Sequence, residues 1–418
     1  MHTLQARRPF HYAWIILLAC ALLSAASTGV LSYFGALFVE PVTASLGIGR
    51  AEFTLYASFA TVTSMCVMPV LGDIYRRFPP KSIIVAGALC GCVSMIMFAT
   101  AADVSRFYFG AVLSGVCISF CGGMPIAILL NNWFEKRLGL ATGIAFTGPG
   151  LVSAALSPVV AGVISSLGWR VGYALLGVLV LLGTIPVTLF LIRITPAEMG
   201  MEPYGHGKGA TVVDGCSRDS EGITRDQALR HPAFWLFLLA SFLVGVLTFG
   251  SQQHLVAYWA GSCGDAGASA AAYSVVMLVA AAGKVLLGGL FDRFSAKVVS
   301  TASGLFALGA MAALIAFPEP PAMYLAAVLV GLIIPLQVMV PTNLTGRLFG
   351  QKDYAKLYGL SSSALFLGAG VGAPLNAVLY DMTASYTASW FLFGLISTLL
   401  TLSLVCSCKL STMNEEQG

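Results

Sequence analysis

The sequence predicts an all-α membrane protein with twelve transmembrane helices in two pseudo-symmetric six-helix bundles. Three observations carry that expectation. Of 418 residues, 58% are hydrophobic and only 10% charged, where a soluble domain carries about a quarter. Long runs without Asp, Glu, Lys or Arg recur along the whole chain, each long enough for the ~20 residues that cross a bilayer as a helix. A constant offset of 216 residues then places the second half on the first.

The uncharged runs fall at 9–39, 53–72, 82–102, 107–134, 138–169, 171–192, 231–264, 298–318, 320–346, 357–380 and 382–408. A twelfth, 266–291, joins them if Lys284 is accepted inside it. The first run follows a basic N-terminus but is far longer than a signal-peptide core, so it reads as a helix that stays. Orientation follows from the 22 Lys and Arg residues. With both termini on one side, eighteen of them fall on that side and only Arg50, Arg106 and Arg170 on the other. Positive charge marks the cytoplasmic side, so both termini are expected there, in a cell (inner or plasma) membrane, with a bacterial origin expected.

The polar stretch 194–230, rich in Gly and charge, separates six helices from six. The expected organisation is an N-terminal bundle over 1–193, a cytoplasmic linker over 194–230 with a short surface helix near Thr224–Arg230, and a C-terminal bundle over 231–418. At the offset of 216, Gly72 falls on Gly288, Arg77 on Arg293, Phe78 on Phe294 and Lys81 on Lys297. Gly115 likewise meets Gly331, Pro125 meets Pro341, Gly143 meets Gly359 and Pro158 meets Pro374. A parallel six-plus-six repeat is one transporter build, with its substrate site between the halves near the midplane. Pro125 and Pro341 are expected to break helices 4 and 10.

Several functions are excluded or unsupported. A net charge of +4 gives no case for nucleic-acid binding. The ten cysteines are scattered; Cys117 and Cys121 share one predicted helix without the His or carboxylate a metal site needs, so they read as small packing residues. No metal, cofactor or obligate protein partner is implied, and no paired acids or His at depth suggest an enzyme. The expected partners are the lipid bilayer, a small organic anion, and a coupled proton or counter-anion.

Lys284 is the one formal charge at membrane depth. It precedes Asp292, at the end of helix 8, by eight residues, roughly 12 Å of helix and so near the centre of a ~30 Å core. A lone ammonium there costs on the order of 3 kcal/mol even on lenient scales, and snorkelling recovers only part of the distance. A wet cavity that admits an anion resolves the cost; a lysine capped by backbone carbonyls is the structural alternative. Near the outer end of helix 7, in "GSQQHLVAYW", His254 could titrate and Gln252 adds hydrogen-bonding capacity. Tyr33, Gln337 and Ser361 are weaker substrate candidates, as are Asn131 and Asn343. For each of these the alternative is an interhelix hydrogen bond.

"GGLFDRFSAK", Gly288 to Lys297, resembles the loop motif G-x-x-x-D-R-x-G-x-[RK] of the major facilitator superfamily. The resemblance implies a conformational latch on the cytoplasmic side, built from Gly288, Asp292, Arg293 and Lys297. The N-terminal copy, "GDIYRRFPPK", keeps Gly72 and Arg77 but has Arg76 in the acid's place and Pro79 in the glycine's; Asp73 lies in a different turn. This copy reads either as a second latch or as a basic loop that sets orientation only.

The stretch "NNWFEKRLGLATGIAFTGPG" resembles the helix 4–5 junction of the monocarboxylate carrier and oxalate:formate antiporter branch. "ITPAEMGMEPYG" and "DQALRHPAFW" are similar to that branch's linker. The branch places a carboxylate-binding basic residue four before the motif glycine, which is Lys284. It departs elsewhere: Ala280 stands where many proton-coupled members have an acid, and helix 11 has no second basic residue between Tyr358 and Tyr380. The resemblance therefore implies a secondary carrier for a small organic monoanion, by symport or antiport through alternating access. The alternatives are an efflux carrier for hydrophobic or cationic compounds and, in another class, a membrane receptor or sensor.

Overall fold

The computed structural model describes residues 11–205, 222–263, 266–316 and 322–415. Arg7, Arg8, Lys208 and Arg218, the chain ends and most of the linker lie outside the described residues. Twelve helices are long and apolar enough to cross a membrane: α1 Ala13–Leu46, α2 Glu52–Arg77, α3 Pro80–Ala99, α4 Val104–Trp133, α5 Leu138–Leu167 and α6 Trp169–Leu191, then α7 Pro232–Ser262, α8 Gly267–Arg293, α9 Ala296–Ala316, α10 Met323–Phe349, α11 Tyr354–Thr383 and α12 Thr387–Leu410. This is an integral, multi-pass membrane protein. Each expected uncharged run lies within or overlaps one span. α1 runs past its predicted end at residue 39 and takes in Glu40, which pairs with Arg50 at 3.0 Å.

Two large apolar clusters form, one from α1–α6 with the start of the linker and one from the linker's end with α7–α12. Small residues let the helices approach closely. In the second cluster, a methyl on Gly250 would meet the Phe393 ring at 2.7 Å and the Gly372 carbonyl at 2.8 Å, so α7 and α11 pack backbone to backbone. A third, smaller cluster, with Met68, Leu71, Met124, Tyr354 and Tyr358 buried in it, joins α2 and α4 to α11.

The proline breaks fall where expected, with additions. α4 is interrupted at Gly122, just before Pro125, and α10 carries a π-helical turn, Val340–Leu344, at Pro341. A second break in α10 lies at Pro335, and α1 has a π-helical turn, Ala25–Gly29, followed by a break at Phe34, neither anticipated from sequence. In α5, Pro149 has no N–H to give the Ala145 carbonyl, and the Ser24 hydroxyl of α1 donates to it instead at 2.6 Å.

The linker ends are docked at equivalent places. Tyr204 N–H donates to the Trp133 carbonyl at 2.8 Å and Ile223 N–H to the Phe349 carbonyl at 3.0 Å; Trp133 and Phe349 are themselves 216 apart. The expected short helix is present as Arg225–Arg230, with Thr224 and Gln227 forming a capping box. The face that carries these loops is called the basic face below. On the opposite face, Asp103 caps α4, and bonds from the Ser105 hydroxyl and the Arg106 N–H hold its carboxyl below the usual range.

Candidate functional site

The two halves meet through two helix pairs at the basic face, α5 with α8 and α2 with α11. Each contact is backbone against backbone, which only glycine permits. A methyl on Gly143 would sit 2.7 Å from the Lys284 carbonyl carbon and 2.8 Å from Val285 Cα, and Gly139 and Gly288 each face the other's carbonyl. In the second pair, a methyl on Gly72 would lie 2.9 Å from Lys356 Cα, and one on Gly359 would meet the Met68 carbonyl group. Met68 and Lys284 are 216 apart, as are Gly143 and Gly359, so the two contacts are copies of one another.

Higher up the same helical faces the contact is lost. Ser363 of α11 still donates to the Met65 carbonyl at 2.7 Å, but Gly370 of α11 and Gly150 of α5 meet nothing within 4 Å. The halves therefore touch at the basic face and separate toward the opposite one. Ser32 and Tyr33 of α1 are exposed there, Tyr33 by 46% although it belongs to a membrane span.

Lys284 lies at the point where the halves part. Its Nζ donates to the Phe146 carbonyl of α5 at 3.0 Å, in the turn that ends the first segment of α5. Among the described residues no carboxylate is paired with it. Its equivalent in the other half, Met68, is buried in the apolar cluster of α2, α4 and α11, so this level of the molecule is cationic on one side and apolar on the other. Gln337 follows Pro335 of α10, and the Pro335 ring lies 3.0 Å from where a methyl on Gly283 would stand. The Gln337 Nε2 is buried and has no hydrogen-bond partner among the described residues. Asn343 of α10 accepts from the Thr142 hydroxyl of α5 at 3.3 Å.

The other predicted residues lie elsewhere. His254 has Tyr386 Oη 3.4 Å from Nδ1 and the Ala373 carbonyl 3.1 Å from Nε2, tying α7 to α11 and to the residue that precedes α12. Ser361 is buried and shares a 2.9 Å hydrogen bond with Ser241 of α7. Gln252 is half-buried on α7. The structure does not bring these three together with Lys284.

At the basic face, Asp292 accepts from the Gly139 and Leu140 N–H groups at 2.8 Å each, capping the start of α5, with Arg347 3.9 Å away. A carboxylate at a helix N-terminus satisfies orphan donors and complements the dipole. Arg293 and Lys297 are exposed and take no part in that contact. On the other side, Lys356 of α11 pairs with Asp73 at 2.9 Å, and Arg76 lies 3.5 Å from Asp353, which also accepts from the Arg225 N–H at 2.9 Å. Arg77 is exposed. Sequence reasoning missed Asp73, Lys356 and Asp353 as a cross-half set, and also the 3.2 Å bond from Gln351 to Asn131.

The model of the Major Facilitator Superfamily matches residues 16–333 and 263–411. The chain belongs to the major facilitator superfamily. Among similar proteins, monocarboxylate transporter 13 of Bos taurus is 27% identical over 396 residues, covering 92% of this chain and 86% of that one. Monocarboxylate transporter 11 of Homo sapiens is 25% identical, covering 92% and 80%. The superfamily transporter FucP, solved in the outward conformation, aligns with a TM-score of 0.71 at 14% identity over 94% of this chain and 97% of that one. The proton:xylose symporter XylE aligns at 0.72, with 14% identity and 94% of each chain covered. The superfamily's build of two six-helix halves is the fold described above, and the chain is a transporter of that family.

Proposed function

We propose that the chain is a secondary active carrier of a small organic monocarboxylate, with Lys284 as the anion contact. The observation that carries this reading is the solitary ammonium at the base of the inter-half opening. It has one carbonyl acceptor, from Phe146, and no paired acid among the described residues, so its charge is uncompensated in a place where that is expensive. A substrate carboxylate supplies the missing charge, with lysine acting as a point donor rather than a bidentate fork. The buried Gln337 Nε2, unpartnered among the described residues, and the exposed Tyr33 supply further hydrogen-bonding groups. The apolar Met68 side of the same level suits a molecule with one charged end.

Transport proceeds by rocking of 1–193 against 231–418, joined by 194–230, with the basic face cytoplasmic. The glycine contacts and the Asp292 and Asp73 bonds hold that face shut while the opposite face admits substrate. Opening it separates α5 from α8 and withdraws the Phe146 carbonyl from Lys284. A coupled proton or exchanged anion restores the carrier. Uptake of radiolabelled formate, acetate, lactate and pyruvate into proteoliposomes tests this reading. Wild type should accumulate at least one of them, and Lys284→Gln, inserted and monodisperse, should lose at least about tenfold of that flux. Undiminished carboxylate uptake by the variant overturns the anchor.

A further inference from the structure

α8 carries a second feature, on the side that faces away from the inter-half opening. Between α8 and α9 runs an apolar groove of about 280 Å³, closed at depth by Leu332 of α10. It extends from Gly283 to Phe294 along α8, about 16 Å of helix, which matches the ~15 Å of one hydrocarbon leaflet. Leu286, Leu290, Phe306 and Phe294 line it and are exposed, while Ala302 and Ser303 keep its α9 wall low.

Its mouth is basic. Arg293 and Lys297 adjoin the groove residues Phe294 and Val298 and are exposed. Neither is paired with a carboxylate among the described residues. Asp292, which precedes them, is turned inward to the start of α5, a contact in which the two cations take no part. An apolar channel one leaflet long, with two exposed cations next to its interfacial end in the sequence, suits an acyl chain bearing an anionic headgroup.

We infer that this groove is a binding site for an anionic phospholipid of the basic-face leaflet. One acyl chain lies along Leu286, Leu290 and Phe306, and the phosphate sits between Arg293 and Lys297. A zwitterionic lipid fits the groove but lacks the net charge. The inner end of the groove is Gly283, the residue before Lys284, so the bound chain supports α8 directly behind the ammonium. This site is independent of which substrate the carrier takes.

The test uses the purified full-length chain, delipidated in detergent and offered equal amounts of phosphatidylglycerol and phosphatidylcholine with identical acyl chains. Native mass spectrometry reads the bound lipid. Each basic residue near anionic lipid contributes roughly a fivefold preference, so wild type should favour phosphatidylglycerol by up to about 25-fold. The double variant Arg293→Gln with Lys297→Gln should lose that preference. Arg77→Gln with Lys352→Gln, which removes two exposed charges elsewhere on the same face, should keep it. Ala302→Phe, which fills the groove, should lower retention of both lipids, and glycerol phosphate without acyl chains should not displace either. Equal binding of the two lipids by wild type overturns the proposal. So does a preference that survives in the first double variant or disappears equally in the second, and so does unchanged retention in Ala302→Phe.

Discussion

Lys284 of α8 donates to the Phe146 carbonyl of α5 at 3.0 Å, so a charged side chain within a span of the C-terminal half is held by backbone of the N-terminal half. This bond exists only while α5 and α8 are in contact. The group proposed to take the substrate is thereby also a group that senses whether the halves are together.

The glycines at that contact should be intolerant of a single methyl. In Gly143→Ala the new Cβ would face the Lys284 carbonyl and Val285 Cα, forcing α5 off α8 at a cost of about 1–3 kcal/mol. Because the equivalent clash in Gly359→Ala is with Met68, both variants should open the basic face. Spin-label distances between α5 and α8 at that face should lengthen in each; unchanged distances contradict the packing argument.

Asp292→Asn should weaken the same closure by about 1–2 kcal/mol. The carboxylate gives one oxygen to each of the Gly139 and Leu140 N–H groups, whereas an amide has only one oxygen to give. A lower melting temperature and longer spin-label distances are expected. If Asn behaves as wild type, the cap contributes nothing.

On the α2–α11 side, reversing the charges of Asp73 and Lys356 together should recover what either single reversal loses. Their 2.9 Å pair is partly exposed, with Asp73 at 43%, so a coupling of only about 0.5–1 kcal/mol is expected, falling as salt rises. A double-mutant cycle read on the melting temperature measures it. A coupling of zero would leave Gly72 and Gly359 as the principal contacts on that side.

His254→Phe should lower stability by about 1 kcal/mol without changing the substrate KM. With the Ala373 carbonyl as acceptor, Nε2 carries the proton and Nδ1 accepts from Tyr386, so the ring's capacity is taken up by α11 and the residue that precedes α12. A KM that rises with His254→Phe would return this residue to the substrate path.

Much of this was legible in the sequence because membrane insertion writes itself in composition. The eleven uncharged runs and the one that holds Lys284 lie along the twelve spans, and the offset of 216 that paired Gly72 with Gly288 and Gly143 with Gly359 picked out four of the five glycines described at the inter-half contact, Gly139 being the fifth. Lys284 was visible because a charge stands out in such a run. What escaped was pairing across the halves. Lys356 falls at the offset on Leu140 and Asp73 on Gly289, so the repeat held no counterpart to suggest their bond. The partner of Lys284 is a backbone carbonyl, and a carbonyl has no side-chain signature. That Asp292 bonds to the start of α5 while Arg293 and Lys297 stay exposed was equally hidden, since the motif gives residue types and not the directions they take at a helix end.

The most direct measurement is the melting temperature of the purified chain across a panel of small carboxylates, compared among wild type, Lys284→Gln and Lys284→Arg. A carboxylate that binds the folded state raises the melting temperature in proportion to its saturation. Wild type and the arginine variant should be stabilised by the same monocarboxylate, and the glutamine variant should not respond to it. Equal stabilisation of Lys284→Gln would contradict the assignment of this lysine as the anion contact.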